Sequence, residues 1–373
     1  MSLLIPVVCF VVCHGGPAGH FDAFADHLIA RGYQVRIYAT EPALKTWQNR
    51  QIDIVIPFSL GEDAATRIAQ QCSDAGVVIT DVGHEWNVAL QRALGEHAPK
   101  AIRCAYYDNP EPYVPGGYSQ IAAQVMQVAQ KVFFANAELA TAPIYQAPGE
   151  EAAVPLEKRV GIGYYPVQQA AKIAERRALE RESLRKRFFA QYDLPDVGQT
   201  VLMYAGGNND AYFDHAFPAF LSFLREGDLS RFVIVHQQHP GAKAKDVDGK
   251  QLAVWKEQQA QNAQVPQFFM SQFSSEDMQV VADAVCYYQT SMAAQFALAG
   301  IPTMQVGHSI YEDILVKNHL CETATDAPSF LAALLRLQEP IEGASVKASL
   351  QRELGMRSDW ADRLGKAIQL SWK

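Results

Sequence analysis

Short apolar runs separated by longer helix-patterned stretches recur along this chain, and after a charged interruption the whole series begins again. In the first half the runs occupy residues 5–13, 34–38, 52–56, 76–80, 102–106 and 132–135. A long charged helical stretch at 170–192 follows, and runs at 200–204, 232–236, 265–269, 284–288 and 303–306 resume the pattern. Runs that are apolar throughout, rather than alternating with polar residues, are strands buried on both faces. Strands that alternate with helices build parallel sheets, and 373 residues suffice for two such domains. The expectation is an α/β chain of two Rossmann-like, doubly wound parallel-sheet domains. The first spans 1–165, the second 166–349, and a C-terminal helix at 350–373 crosses back to the first. Gly32 marks the end of the first helix, and Gly300-Ile301-Pro302 the end of a late one.

Charge narrows the class of function. A net charge of −8 disfavours nucleic acid as a partner, because neutralising phosphates takes basic surface. The arginines between 175 and 187 alternate with glutamates, which reads as a solvated helix face. Residues 2–13 lack the basic flank and small-residue cleavage site of a signal peptide, so they read as the first buried strand. No run of about 18 apolar residues occurs, so no membrane span is expected; peripheral membrane contact stays open. Cys9, Cys13, Cys72, Cys104, Cys286 and Cys321 have no metal-type spacing. They read as buried free thiols in a reducing, cytoplasmic setting.

Four places carry residues suited to chemistry. His14-Gly15-Gly16-Pro17-Ala18-Gly19-His20 follows a strand and reads as a glycine turn ahead of a helix at 21–30. Glycine lets backbone approach a ligand, and Gly16 is the candidate contact. Tyr204-Ala205-Gly206-Gly207-Asn208-Asn209-Asp210 repeats that design. Left-handed residues in this turn are expected to aim N–H groups at an anion, with Asp210 as an alternative helix cap. His239-Pro240 follows a strand at the edge where open α/β sheets bind ligands. The block 282–303 contains a strand, then Thr290-Ser291, then a small-residue helix with Gln295 one turn on. Thr290 and Ser291 are placed to cap that helix and to share its N–H groups with a phosphate.

The block 282–303 resembles the donor-site signature of the GT-B glycosyltransferases and of their relative, the non-hydrolysing UDP-N-acetylglucosamine 2-epimerase. The turns at 15–20 and 206–207, with Pro218 downstream, look like those of the peptidoglycan N-acetylglucosaminyltransferase. His239-Pro240 together with Thr290-Ser291 is similar to the pattern of bacterial sialyltransferases and polyol-phosphate transferases, in which these residues bind the nucleotide phosphates. The resemblance implies two facing Rossmann-like domains (GT-B) and places the nucleotide at Gly206, Gly207, Asn208, His239, Pro240, Thr290, Ser291 and Gln295. It departs from the pattern at Gln295, where many relatives have glutamate. It departs also at Pro17-Ala18, and it lacks the sialyltransferases' acidic motif.

The expected function is therefore glycosyl transfer from a nucleotide sugar to an unidentified acceptor hydroxyl, on a glycan, a lipid-linked molecule or a small molecule. No further cofactor and no metal are expected; Asp246-Val247-Asp248 reads as part of a polar loop at 241–249. Transfer needs a base for the acceptor proton and donors for the leaving phosphate. The base candidates are His20, Asp81 and Asp108, with His84 and Glu85 nearby, and Asp81 has an alternative reading as a helix cap. The competing functions are UDP-sugar 2-epimerisation and a non-catalytic scaffold. Met292, Ala293, Ala294 and Gln295 stand where the epimerases carry twin glutamates, which counts against the former.

Overall fold

The computed structural model describes residues 7–47, 54–61, 63–111, 117–141, 145–147, 150–151, 154–163, 166–195, 198–243, 245–259, 266–337, 348–349, 357 and 359–372. The chain forms two compact units, Met1–Pro166 with Gln351–Lys373, and Val167–Leu350.

In the first unit the strands are β1 Val7–Val12, β2 Gln34–Ala39, β3 Val55–Pro57, β4 Val77–Thr80, β5 Ile102–Tyr107, β6 Lys131–Phe134 and β9 Arg159–Gly161. They form one sheet, parallel throughout, in the order β3-β2-β1-β4-β5-β6-β9. A separate antiparallel ribbon pairs β7 Tyr145–Ala147 with β8 Glu150–Glu151. Every residue of β1 is buried, because alternate side chains feed opposite layers. Phe10 meets Phe21 at 4.9 Å between ring centroids, while Cys9 and Val11 join Leu90 and Leu94. The chain's last helix, Trp360–Trp372, packs into this unit. Trp360 lies 5.3 Å from the Phe24 ring, Arg31 pairs with Asp362, and Arg363 Nε donates to the Gly161 carbonyl at 2.9 Å. The expected start of that helix, at 350–356, lies outside the described residues.

The second unit opens with the helix Pro166–Gln191. Arg187 is exposed, but Arg176, Arg177, Arg181 and Arg185 are partly buried and bonded to the rest of the unit, contrary to the expectation of a solvated face. Arg177 Nη1 donates to the carbonyls of Gln279 and Ala282, at the end of the helix Ser275–Val281. Arg181 and Arg185 grip Asp283, which also accepts the Val201 N–H. A guanidinium serves here because its five donors reach several acceptors at once. The strands that follow are β10 Thr200–Ala205, β11 Phe232–Gln237, β12 Gln267–Met270, β13 Ala284–Tyr287, β14 Thr303–Val306 and β15 Glu322–Ala324. Their order is β12-β11-β10-β13-β14-β15, again all parallel. Aromatic rings fill the core, with Tyr204 stacked on Phe220 at 4.2 Å.

Both sheets thus have the strand order of a Rossmann fold, with a reversal beside the central strand. The three-residue strands β9 and β15 were not marked by the sequence pattern. Gly32 and Gly300 have φ of 85° and 72°, as expected of helix-ending glycines.

Candidate functional site

In an open parallel sheet, chain connections leave in opposite directions from the two strands at the reversal. A crevice therefore opens at their carboxyl ends. In the first unit those strands are β1 and β4, and the residues just past them are His14 and Asp81. The helix after β1 begins at Gly15, with His14 as its N-cap, and runs to Ala30. The expected glycine turn is therefore the first turn of a helix, which brings His14 to the edge.

Asp81 is buried and draws several donors. Oδ2 accepts the N–H groups of Cys13 at 2.8 Å and His14 at 3.2 Å, and the Asn87 amide donates to Oδ1 and, at 2.6 Å, to the Asp81 carbonyl. It is not a helix cap. It ties the ends of β1 and β4 together. The same Oδ2 lies 3.4 Å from His14 Nδ1. This bond raises the His14 pKa above the ordinary 6.5, against the opposing effect of burial. The His14 side chain remains 44% exposed. With Nδ1 turned to the carboxylate, Nε2 is free to exchange a proton. Gly83 leaves room for the ring, since a Cβ there would lie 3.1 Å from it.

Asp108 follows β5 at the same edge. Tyr118 donates its hydroxyl proton to Oδ1 at 2.8 Å, and Oδ2 would lie 3.5 Å from a Cβ on Gly16. Burial pushes this carboxyl up to about 6, and the neighbouring Asp81 charge adds to the effect. His14, Gly16, Asp81 and Asp108 are thus brought together. His20 is not among them. Its Nδ1 sits 2.7 Å from the Tyr106 hydroxyl, its ring packs against Phe24, and burial lowers its pKa to about 3. His84 Nδ1 accepts the Trp86 N–H at 3.0 Å, and its ring lies 5.8 Å from that of His14.

In the second unit the reversal falls between β10 and β13, and the turns beyond them meet. Asn209 Nδ2 donates to Gln289 Oε1 at 2.7 Å. A Cβ on Gly241 would lie 3.2 Å from both Asn208 Nδ2 and His239 Nδ1, so these two side chains share one spot. Gly241 N–H donates to His239 Nδ1 at 3.0 Å, which puts the ring proton on Nε2 as a donor. Burial lowers the His239 pKa, so the ring is neutral at pH 7. Pro240 is exposed in the turn beside it, and Thr290 Oγ1 accepts the Met292 N–H at 3.2 Å.

Several expectations for this edge are corrected. No residue between 206 and 210 has positive φ. A Cβ on Gly206 would lie 2.7 Å from His236 Cε1, and one on Gly207 would lie 2.8 Å from the Tyr212 ring. The two glycines therefore have a packing reason, and Gly206 N–H is already bonded to the Gln237 carbonyl at 3.0 Å. The helix cap is Asn209, whose Oδ1 accepts the Tyr212 N–H, not Asp210. The helix after Ser291 starts only at Ala293, and Ser291 is exposed before it. Gln295 Nε2 is bonded to Gln279 Oε1 at 2.9 Å. The polar loop at 241–249 is helical from Val247, and Asp248 is fully buried against His236. Sequence reasoning noted His14 and His20 as two histidines bracketing the turn and suited to acid–base use, but took His20 rather than His14 as the base candidate, and it missed the His236–Asp248 pair. The signal for His14 was its position directly between a strand and Gly15-Gly16.

No family model matches the chain, and no curated protein matches its sequence. Solved structures do match. The UDP-GlcNAc 2-epimerase of Neisseria meningitidis, bound to UDP-GlcNAc, is similar with a TM-score of 0.67 at 10% identity, covering 98% of this chain and 100% of that one. The wall teichoic acid polymerase TagF gives 0.54 at 11% identity over 99% and 89%. The fold is GT-B. The UDP-GlcNAc 2-epimerase of Methanocaldococcus jannaschii also shares this GT-B architecture, with a TM-score of 0.63 at 10% identity over 93% and 99%. Among the described residues, no helix is long and apolar enough to cross a membrane.

Proposed function

We propose that this GT-B protein is an enzyme acting on a nucleotide sugar, and that it transfers the sugar to an acceptor hydroxyl. The observation that carries the reading is the His14–Asp81 pair at the sheet reversal of the first unit. Asp81 orients the imidazole, and its charge favours the imidazolium that forms when His14 takes the acceptor proton. The hydroxyl oxygen attacks the anomeric carbon while the bond from that carbon to the phosphate oxygen breaks, so the electron pair leaves with the nucleotide. At the strand-end edge of the second unit, His239 Nε2–H, the Asn208 amide and the Thr290 hydroxyl are suited to hold a nucleotide phosphate. This makes Asp81 the orienting group and His14 the base.

One observation favours a second reading, 2-epimerisation of a UDP-sugar. Asp108, with its carboxyl near 6, stands beside His14 as a second group able to carry a proton at neutral pH, and two structures of similar fold are UDP-GlcNAc 2-epimerases. Incubation with a panel of UDP-, CDP- and GDP-sugars separates the two. Slow release of free sugar and nucleotide is expected for a transferase without its acceptor, and a 2-epimer for the isomerase. His14→Ala should lower turnover by about 10²–10⁴-fold and leave nucleotide affinity unchanged. Absence of a thermal shift with every nucleotide would refute both.

A further inference from the structure

Beneath the polar edge of the second unit lies an ionisable pair that the proposed chemistry does not use. His236, near the end of β11, and Asp248, in the first turn of the helix Val247–Gln259, are fully buried with Nε2 2.6 Å from Oδ2. Oδ1 accepts the Gln238 amide at 2.8 Å and the Gly249 N–H at 3.1 Å. Gln238 also reaches Asp246 Oδ1 at 2.8 Å. The Tyr212 hydroxyl lies 3.4 Å from both His236 Nε2 and Asp248 Oδ2, and Phe217 stacks on the imidazole at 4.9 Å. Burial alone would push the Asp248 carboxyl up, but the bonds from His236 and Gln238 outweigh it and hold it below its ordinary value.

A buried carboxylate persists only where donors surround it. Here the donors come from the end of β11 and from the segment that carries His239. The Nε2–Cε1 edge of the His236 ring also meets Gly206, at the root of the turn that carries Asn208. One pair therefore braces both segments that present donors at this edge. We propose that His236 and Asp248 are positioning residues for the nucleotide, holding His239 Nε2–H and the Asn208 amide in a common register. The inference rests on the nucleotide-binding reading of this edge.

The test is calorimetric titration of the full chain with UDP, CDP and GDP, together with donor-hydrolysis kinetics. Asp248→Asn and His236→Phe should weaken nucleotide binding about tenfold or more, raising KM while kcat at saturation stays within about threefold. His236→Gln, which keeps an N–H for Asp248, should restore most of the affinity. A merely structural pair would lower the melting temperature and leave the affinity of folded protein unchanged. If Asp248→Asn binds like the parent while His239→Ala loses binding, the positioning role is overturned and the nucleotide reading stands. A parent protein that binds none of the three overturns both. Should Asp248→Asn fail to fold, equal affinities for His236→Gln and His236→Phe overturn the proposal.

Discussion

Asp108→Asn is expected to stabilise the protein at pH 8. The folded carboxyl loses its proton near 6, against an ordinary value of 3.8, because burial penalises the charge. The fold therefore binds this proton more tightly than the unfolded chain does. Below pH 3.8 both states are protonated and the group contributes nothing. As pH rises through the interval the unfolded chain ionises first and stability falls, and above about 6 the loss is complete. At about 1.4 kcal/mol per pH unit the full loss is about 3 kcal/mol. Asp108 keeps some solvent contact, so screening trims this to about 1–3 kcal/mol. Asparagine removes the charge and keeps an Oδ1 acceptor for Tyr118. Urea unfolding of both proteins at pH 4, 6 and 8 measures the difference. It should be near zero at pH 4 and favour the variant by about 1–3 kcal/mol at pH 8. A difference independent of pH, or one favouring the parent more as pH rises, would refute the assignment of a strained carboxylate to this edge.

Two further expectations concern the frame that holds the first unit's edge. Gly161→Ala would set a Cβ 2.7 Å from the Ala137 carbonyl oxygen and 2.9 Å from its Cα, and backbone cannot step aside. A loss of about 1–3 kcal/mol is expected from the urea midpoint, and an unchanged midpoint would show that β9 can shift. Trp360→Ala removes a ring that is 5% exposed against Phe24. It should cost about 3–5 kcal/mol and speed amide exchange along the helix Trp360–Trp372, whereas unchanged exchange there would mean the helix does not depend on this contact.

The strand series was legible because buried parallel strands leave apolar runs that need no knowledge of their neighbours. Gly32 and Gly300 were legible for a similar reason, since a left-handed helix end selects glycine locally. The arginine run was misread because alternation of Arg and Glu looks the same whether the guanidinium meets water or, as at Arg177, three carbonyls from residues 279–282. Gly206 and Gly207 were assigned to an anion, yet the pressure on them comes from His236 and Tyr212. Those contacts join positions 30 residues apart (Gly206 to His236) and five apart (Gly207 to Tyr212), and spacing alone does not distinguish them from ligand approach.

The order of strands and helices, the restart of the β-turn-α design near residue 200, and the candidacy of strand-end polar residues belonged to the sequence alone. They follow from hydrophobic period and backbone preference, which act over a few residues. Which strand-end residues face one another was decided only by tertiary structure. Strand order placed the end of β1 beside the end of β4, and so joined His14 to Asp81 across 67 residues of chain, while it turned His20, six residues further along, inward to Tyr106. Electrostatic coupling depends on distance through space, and that distance exists only once the sheet has formed.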